Sequence, residues 1–143
     1  MRYHFRTHKE KKGYWAESVE KGLSVTSQGR TMDELVENLQ EALDLALDEP
    51  SDSNWMPPLP DPKIKGRNIV EVAVDPKIAM ATLVRMTRIQ TGMTQREVAE
   101  KMGIRTLSTY QKLESSKTAN PEWTTLVRLK RVLPGFPLEI AAA

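Results

Sequence analysis

Residues Thr94–Glu114, TQREVAEKMGIRTLSTYQKLE, predict two short helices joined by a glycine turn. Thr94 is followed three residues later by Glu97, which is the capping-box pattern of a helix start. Gly103 supplies the positive φ at which a helix commonly ends. The apolar spacing predicts the buried side of both helices, which comprises Val98, Ala99, Met102, Tyr110 and Leu113.

The outer side of the second helix carries only hydrogen-bonding or cationic side chains, as a helix in the major groove of DNA requires. We expect Ser108, Gln111 and Lys112 to reach base edges and Arg105 to contact a base or a phosphate. The residues expected to hold phosphates are Thr94, Gln95, Arg96, Ser115, Ser116 and Lys117. The alternative is an ordinary helical hairpin with a solvated polar face, which has the same amphipathic pattern.

The choice between these alternatives depends on a more specific pattern, Thr-Gln-x-x-Val-Ala-x-x-x-Gly-Ile, which begins at Thr94 and is followed by Leu113-Glu114 and a Ser/Lys loop. This pattern resembles the phage-repressor (Xre-type) family of helix-turn-helix proteins. The resemblance implies DNA binding and favours it over the helical hairpin.

The net charge of +2 conceals an asymmetry along the chain. Residues 1–62 carry 7 Lys+Arg against 12 Asp+Glu, a net of −5, whereas residues 63–143 carry 14 against 7, a net of +7. Nucleic acid is the natural partner of the basic half. A basic protein, or one that itself binds nucleic acid, suits the acidic half.

The absence of cysteine excludes disulfides and thiolate metal sites, in agreement with a reducing compartment. The N-terminal residues lack an apolar signal segment, and no apolar run approaches the length of a membrane span. We therefore expect a cytoplasmic protein that does not interact with membranes.

The N-terminal part predicts an α+β domain of order β-β-β-α-β over residues 1–75. Alternating patterns predict strands near residues 2–8, 14–19 and 23–27, and the helix that follows lies between Thr31 and Pro50. Residues 50–68 form a proline-rich connector. The strand predicted at residues 69–74 would return to the sheet as a right-handed β-α-β crossover.

One side of the predicted helix carries acidic residues at helical spacing: Asp33, Glu37, Glu41, Asp44 and Asp48. Two interpretations stay open for this stripe. Solvation explains most runs of charge, but carboxylates four residues apart repel each other and the stripe holds no lysine. The second interpretation is therefore a docking surface for a basic partner.

Residues 76–143 predict an all-α domain that ends in a short strand. A helix begins at Asp75-Pro76, the helix-turn-helix follows, and Asn120-Pro121 begins a further helix. Because a lone strand is unstable in water, we expect the alternating residues Phe136, Leu138 and Ile140 to pair with a second copy and form a homodimer.

Three segments of the first domain resemble the HicB antitoxin family. They are residues 13–19 (GYWAESV), 23–47 (LSVTSQGRTMDELVENLQEALDLAL) and 57–62 (PPLPDP). Residues 107–114 (LSTYQKLE) and 119–121 (ANP) look like the Xre-type tail of some HicB proteins. The resemblance implies a partial RNase H-like fold that inhibits a HicA-type toxin, a small basic ribonuclease that cleaves mRNA. It also implies that the C-terminal domain represses the operon.

We expect no enzymatic activity, no metal and no cofactor. Two-metal hydrolysis needs several carboxylates that converge from strands and a helix, and the predicted strands carry few. His4 and His8 fall on one side of the first strand and are expected to be solvated. The alternative function is a stand-alone Xre-type repressor whose N-terminal domain senses a ligand or another protein.

Overall fold

The computed structural model describes all 143 residues, which form two compact units. The first unit comprises residues 1–47 and 56–75, and the second comprises residues 48–55 and 76–143. The chain passes from one unit to the other three times, after residues 47, 55 and 75. Residues 48–55 were assigned by sequence to the first domain and include the start of its connector, but they lie with the second unit.

The first unit is a mixed α+β fold, as predicted. Its elements are β1 (Arg2–Glu10), β2 (Gly13–Ser18), β3 (Thr26–Gly29), α1 (Met32–Leu47) and β4 (Ile69–Ala73). The strands form one sheet of order β3-β2-β1-β4 in which every neighbouring pair is antiparallel. The predicted return of the fourth strand to the first sheet is confirmed. Because β3 and β4 run in opposite directions, however, the connection is not a crossover between parallel strands, so the rule of right-handedness does not apply to it.

The core of the first unit lies between the sheet and α1. Tyr3, Phe5 and Ala16 are fully buried on the sheet. The helix contributes a leucine at every fourth position: Leu35, Leu39, Leu43 and Leu47. Gly29 permits the close approach of strand and helix, since a Cβ there would lie only 2.5 Å from the Leu35 nitrogen.

The second unit is entirely helical. Its elements are α2 (Pro76–Gln90), α3 (Gln95–Lys101), α4 (Leu107–Gln111), a 3-10 turn (Lys112–Glu114), α5 (Trp123–Val132) and α6 (Leu138–Ala142). The helix-turn-helix predicted from residues 94–114 corresponds to α3, α4 and the 3-10 turn that extends α4.

The predicted C-terminal strand is wrong, and with it the proposal that this strand pairs across a dimer. Phe136 is 1% exposed because it belongs to the core of its own unit, and Lys130 Nζ donates to its carbonyl over 2.6 Å. Leu138 and Ile140 lie on α6, which packs on α2. Alanine has the highest helix propensity, so the alanine-rich end favours this helix.

Candidate nucleic-acid interface

The start of α3 is capped as predicted. The Thr94 hydroxyl oxygen accepts a hydrogen bond from the Glu97 N–H over 3.1 Å, and Thr94 itself is extended. Val98 and Ala99 are buried on the inner side of the helix. Gly103 has φ +73°, and the next N–H, from Ile104, donates to the Ala99 carbonyl over 2.9 Å. These contacts confirm the predicted helix start and the glycine turn.

A second cap, which the sequence analysis missed, begins α4. The Thr106 hydroxyl oxygen accepts a hydrogen bond from the Thr109 N–H over 3.3 Å. The signal was present in the sequence, because threonine is a preferred N-cap residue. The cap begins a helix whose inner residue, Tyr110, is fully buried, and Leu113 in the following 3-10 turn is 7% exposed. Both were predicted to face the core.

The residues expected to reach DNA bases all lie on the outer surface. Arg105, Ser108, Gln111 and Lys112 are exposed. Gln111 Nε2 donates to Gln95 Oε1 over 3.1 Å, which joins the start of α3 to the end of α4. This hydrogen bond joins one expected phosphate contact, Gln95, to one expected base contact, Gln111. That they touch DNA stays a prediction.

A buried ion pair holds the helix-turn-helix to α2. Arg88 Nε lies 2.9 Å from Glu114 Oε2, and Arg88 Nη2 donates to Glu114 Oε1 over 3.0 Å. Arg88 Nη1 also donates to the Met93 carbonyl over 3.2 Å, just before α3. The Glu114 side chain is completely buried. Arg88 therefore ties both ends of the helix-turn-helix to one helix.

Electrostatics around this pair agree with its geometry. Burial lowers the pKa of Arg88, but the hydrogen bonds and charge of Glu114 outweigh burial, so the pKa is raised overall. Burial, reinforced by the Glu114 carboxylate, raises the pKa of Tyr110 well above its usual range. A glutamate at a position with core spacing is the sequence signal for such a pair, because a buried carboxylate needs a partner.

The expected phosphate-binding residues form two groups at the surface. Thr94 and Arg96 are exposed at the start of α3, and Gln95 is partly buried between them. In the loop after Glu114, Lys117 is exposed, whereas Ser115 and Ser116 are partly buried. The Ser115 carbonyl accepts the Ala119 N–H over 2.8 Å, which orders the loop. The Ser116 hydroxyl donates to the Asp48 carboxylate.

The acidic stripe is only partly retained in the first unit. Asp33, Glu37 and Glu41 are exposed on α1. Asp44 is partly buried and accepts the Asp75 N–H over 2.8 Å. Asp48 lies beyond the end of α1, in the second unit. The structure therefore leaves a three-residue acidic surface on the helix instead of a five-residue stripe.

The prediction that both histidines are solvated is wrong for His4, which is 4% exposed. His4 Nδ1 lies 2.6 Å from Glu20 Oε1, and the Glu20 carboxylate also accepts the His4 backbone N–H over 3.1 Å. His8 is partly exposed and stacks on Trp15 with ring centroids 4.1 Å apart. No group of three or more His, Asp or Glu side chains is placed to hold a metal ion.

The folded units differ less in charge than the two halves of the sequence. The first unit carries 10 Lys+Arg against 11 Asp+Glu, a net of −1, and the second carries 11 against 8, a net of +3. Two segments cause the change. Residues 48–55 bring three carboxylates to the basic unit, and Lys63, Lys65 and Arg67 belong to the acidic one.

Comparison with known families identifies the same part of the second unit. Residues 79–135 match the family model of a helix-turn-helix domain. The match extends from α2 to α5 and includes α3 and α4, so this part of the second unit is similar to a helix-turn-helix domain. No curated protein sequence matches the chain. None of the helices combines the length and apolarity needed to cross a bilayer.

Proposed function

We propose that this protein is a transcriptional regulator that binds operator DNA through α3 and α4. The observation that supports it best is the helix-turn-helix whose outer surface presents Ser108, Gln111 and Lys112. In this proposal α4 and the following turn enter the major groove, while the start of α3 and the Ser115–Lys117 loop contact phosphates.

The test is Lys112→Ala, measured on a duplex that the wild-type protein selects from a random pool. Removal of a base-contacting cation is expected to cost about 1–3 kcal/mol on the selected duplex and much less on mixed-sequence DNA. Lys101→Ala, an exposed cation at the end of α3, is the matched control. Equal losses on both duplexes would show that Lys112 contacts only the backbone.

We further propose that the regulator is the HicB-type antitoxin of a type II toxin-antitoxin pair, with a partial RNase H-like first unit and no catalytic activity. Its partner would be a HicA-type ribonuclease. Support comes from the resemblance of residues 13–19, 23–47 and 57–62 and from the β-β-β-α-β order of the unit. The exposed carboxylates Asp33, Glu37 and Glu41 are the proposed contact surface for the basic toxin.

Co-expression with the product of the adjacent gene tests this role. Full-length protein should bind that product and relieve its toxicity, and reversal of Glu37 and Glu41 to lysine should weaken binding more at low salt than at high salt. Full relief of toxicity by the reversed variant would exclude this surface. If the adjacent product neither binds nor is toxic, the stand-alone repressor becomes the better explanation.

We propose that two copies bind a palindrome, with half-sites about one helical turn or a multiple apart. With the strand excluded, the dimer surface proposed here is the groove around Trp123, a side chain that is 69% exposed. Leu126, Val127 and Leu138 line the groove. Trp123→Ser should shift a dimer to monomers in sedimentation, whereas the control Trp55→Ser should not. An unchanged sedimentation profile would exclude this groove.

A further inference from the structure

The segment Asp48–Trp55 is acidic, with carboxylates at Asp48, Glu49 and Asp52, yet it lies with the net positive second unit. Arg85 on α2 holds it there. Arg85 is 2% exposed, and its Nη1 donates to the Ser53 carbonyl over 2.7 Å and to the Trp55 carbonyl over 3.0 Å. Because both acceptors are backbone atoms, these two hydrogen bonds do not depend on the acidic side chains of the segment.

The first residue of this segment meets the candidate nucleic-acid interface. The Asp48 carboxylate accepts a hydrogen bond from the Ser116 hydroxyl, in the loop expected to hold a DNA phosphate. Carboxylate and phosphate oxygens are both anionic acceptors, and a serine hydroxyl has a single proton to donate. Ser116 therefore serves either Asp48 or a phosphate, but not both at once.

We propose that Asp48–Trp55 is an autoinhibitory segment, which competes with the DNA backbone for the Ser115–Lys117 loop. The inference rests on the proposed DNA binding and adds a means of regulating it. DNA must displace the Asp48 carboxylate from Ser116, so the intact protein binds more weakly than its helix-turn-helix alone would. By thermodynamic linkage, a partner that lifts the segment away raises DNA affinity, and one that holds it down lowers affinity.

The experiment compares full-length wild type with Asp48→Ala on a mixed-sequence duplex of about three helical turns, a probe that reports mainly phosphate contacts. The variant should bind about three- to tenfold more tightly, the range expected for release of one hydrogen bond. Glu10→Ala is the matched control, because it removes one exposed carboxylate from the end of β1 in the first unit. An equal gain in both variants would reduce the effect to net charge and overturn the proposal.

A second pair of variants isolates the hydrogen bond. In a Ser116→Ala background, Asp48→Ala should raise DNA affinity by less than half of the gain that it gives with Ser116 present. The reason is that the hydroxyl for which Asp48 and the phosphate compete is absent. A full gain in that background overturns the proposal. The proposal is also overturned if wild type binds the duplex and Asp48→Ala binds it with equal or lower affinity. If neither wild type nor any variant binds duplex DNA, both the autoinhibition and the proposed DNA binding are wrong.

Discussion

Each unit buries one carboxylate beside a basic side chain: Glu20 beside the imidazole of His4 in the first unit, and Glu114 beside the guanidinium of Arg88 in the second. The two pairs differ in where their hydrogen bonds originate. All three hydrogen bonds from Arg88 to Glu114 come from the guanidinium, whereas Glu20 also accepts the backbone N–H of His4. A backbone donor survives every substitution of the histidine except proline, but the guanidinium bonds are lost with the arginine. The helix-turn-helix therefore depends on one side chain more than the sheet does.

The largest expected effect is that of Arg88→Met, which keeps much of the side-chain volume and removes the charge. An uncompensated carboxylate at Glu114 should destabilise the second unit by about 3–5 kcal/mol. Denaturant unfolding measures the loss in the free energy of unfolding, and hydrogen exchange in α2–α4 shows whether this loss belongs to the second unit. Arg96→Met, at an exposed position on α3, serves as the control and should change stability little. A loss below about 1 kcal/mol for Arg88→Met would contradict the dependence on Arg88.

A smaller effect is expected for His4→Ala in the first unit. Glu20 would lose the imidazole but keep the backbone N–H, so the expected cost is about 1–3 kcal/mol. Hydrogen exchange in β1 and β4 measures it, with His8→Ala as the partly exposed control from the same strand. A cost greater than that of Arg88→Met would reverse the comparison between the two units.

Buried tyrosines extend the comparison to alkaline pH. Burial is the main cause that raises the pKa of both Tyr3 and Tyr110, with a further increase from Glu20 and Glu114 respectively. A tyrosine whose pKa is raised in the folded state contributes to the free energy of unfolding in its neutral form. This contribution is fully present below the unfolded pKa of about 10 and is lost as pH rises above it. Each tyrosine should contribute a loss of about 1.4 kcal/mol one pH unit above that value.

The measurement is hydrogen-exchange protection as a function of pH, corrected for the intrinsic exchange rate. Tyr110→Phe should remove the alkaline loss from the second unit alone, and Tyr3→Phe should remove it from the first. Tyr3→Phe also deletes the hydrogen bond from the Tyr3 hydroxyl to the Pro58 carbonyl, 2.7 Å long, and so should lower stability at neutral pH as well. An alkaline loss that persists in both variants would assign it to other groups.

The smallest expected effect on stability is that of Gln111→Ala. Its hydrogen bond to Gln95 is exposed and joins two neutral amides, so its loss should cost about 0.5 kcal/mol or less. Thermal unfolding provides that measurement. A cost comparable to that of Arg88→Met would mean that the exposed bond, and not the buried ion pair, holds the helix-turn-helix together.

The parts of the fold that were predictable depend on short-range signals. Thr94, Gly103 and the apolar spacing around Val98 act within one or two helical turns, so the helix-turn-helix could be placed from sequence. The alternation of Phe136, Leu138 and Ile140 was equally regular, but it extends over too few residues to distinguish a strand from a helix. Burial of Phe136 in the core decided in favour of a turn followed by α6.

The candidate site also has features that the sequence predicts and features that it does not. That Ser108, Gln111 and Lys112 would be exposed follows from helical periodicity alone, and the structure places them so. The ion pair beneath them joins residues 26 positions apart, and no local pattern identifies the partner of Glu114. The partner of His4 was equally unpredictable. The alternating pattern of the strand indicates the side on which His4 lies, but not that Glu20 packs against it.

By itself, the sequence determined the helix-turn-helix, the strand and helix order of the first unit, and the outward residues of α4, because capping and periodicity are properties of neighbouring residues. Only the tertiary structure decided which charges pair and which unit they serve. Asp48 meets Ser116 across 68 positions of sequence, and Arg85 holds the acidic segment Asp48–Trp55 in the basic unit. Such pairings depend on where distant segments come together, and that depends on the packing of the whole unit.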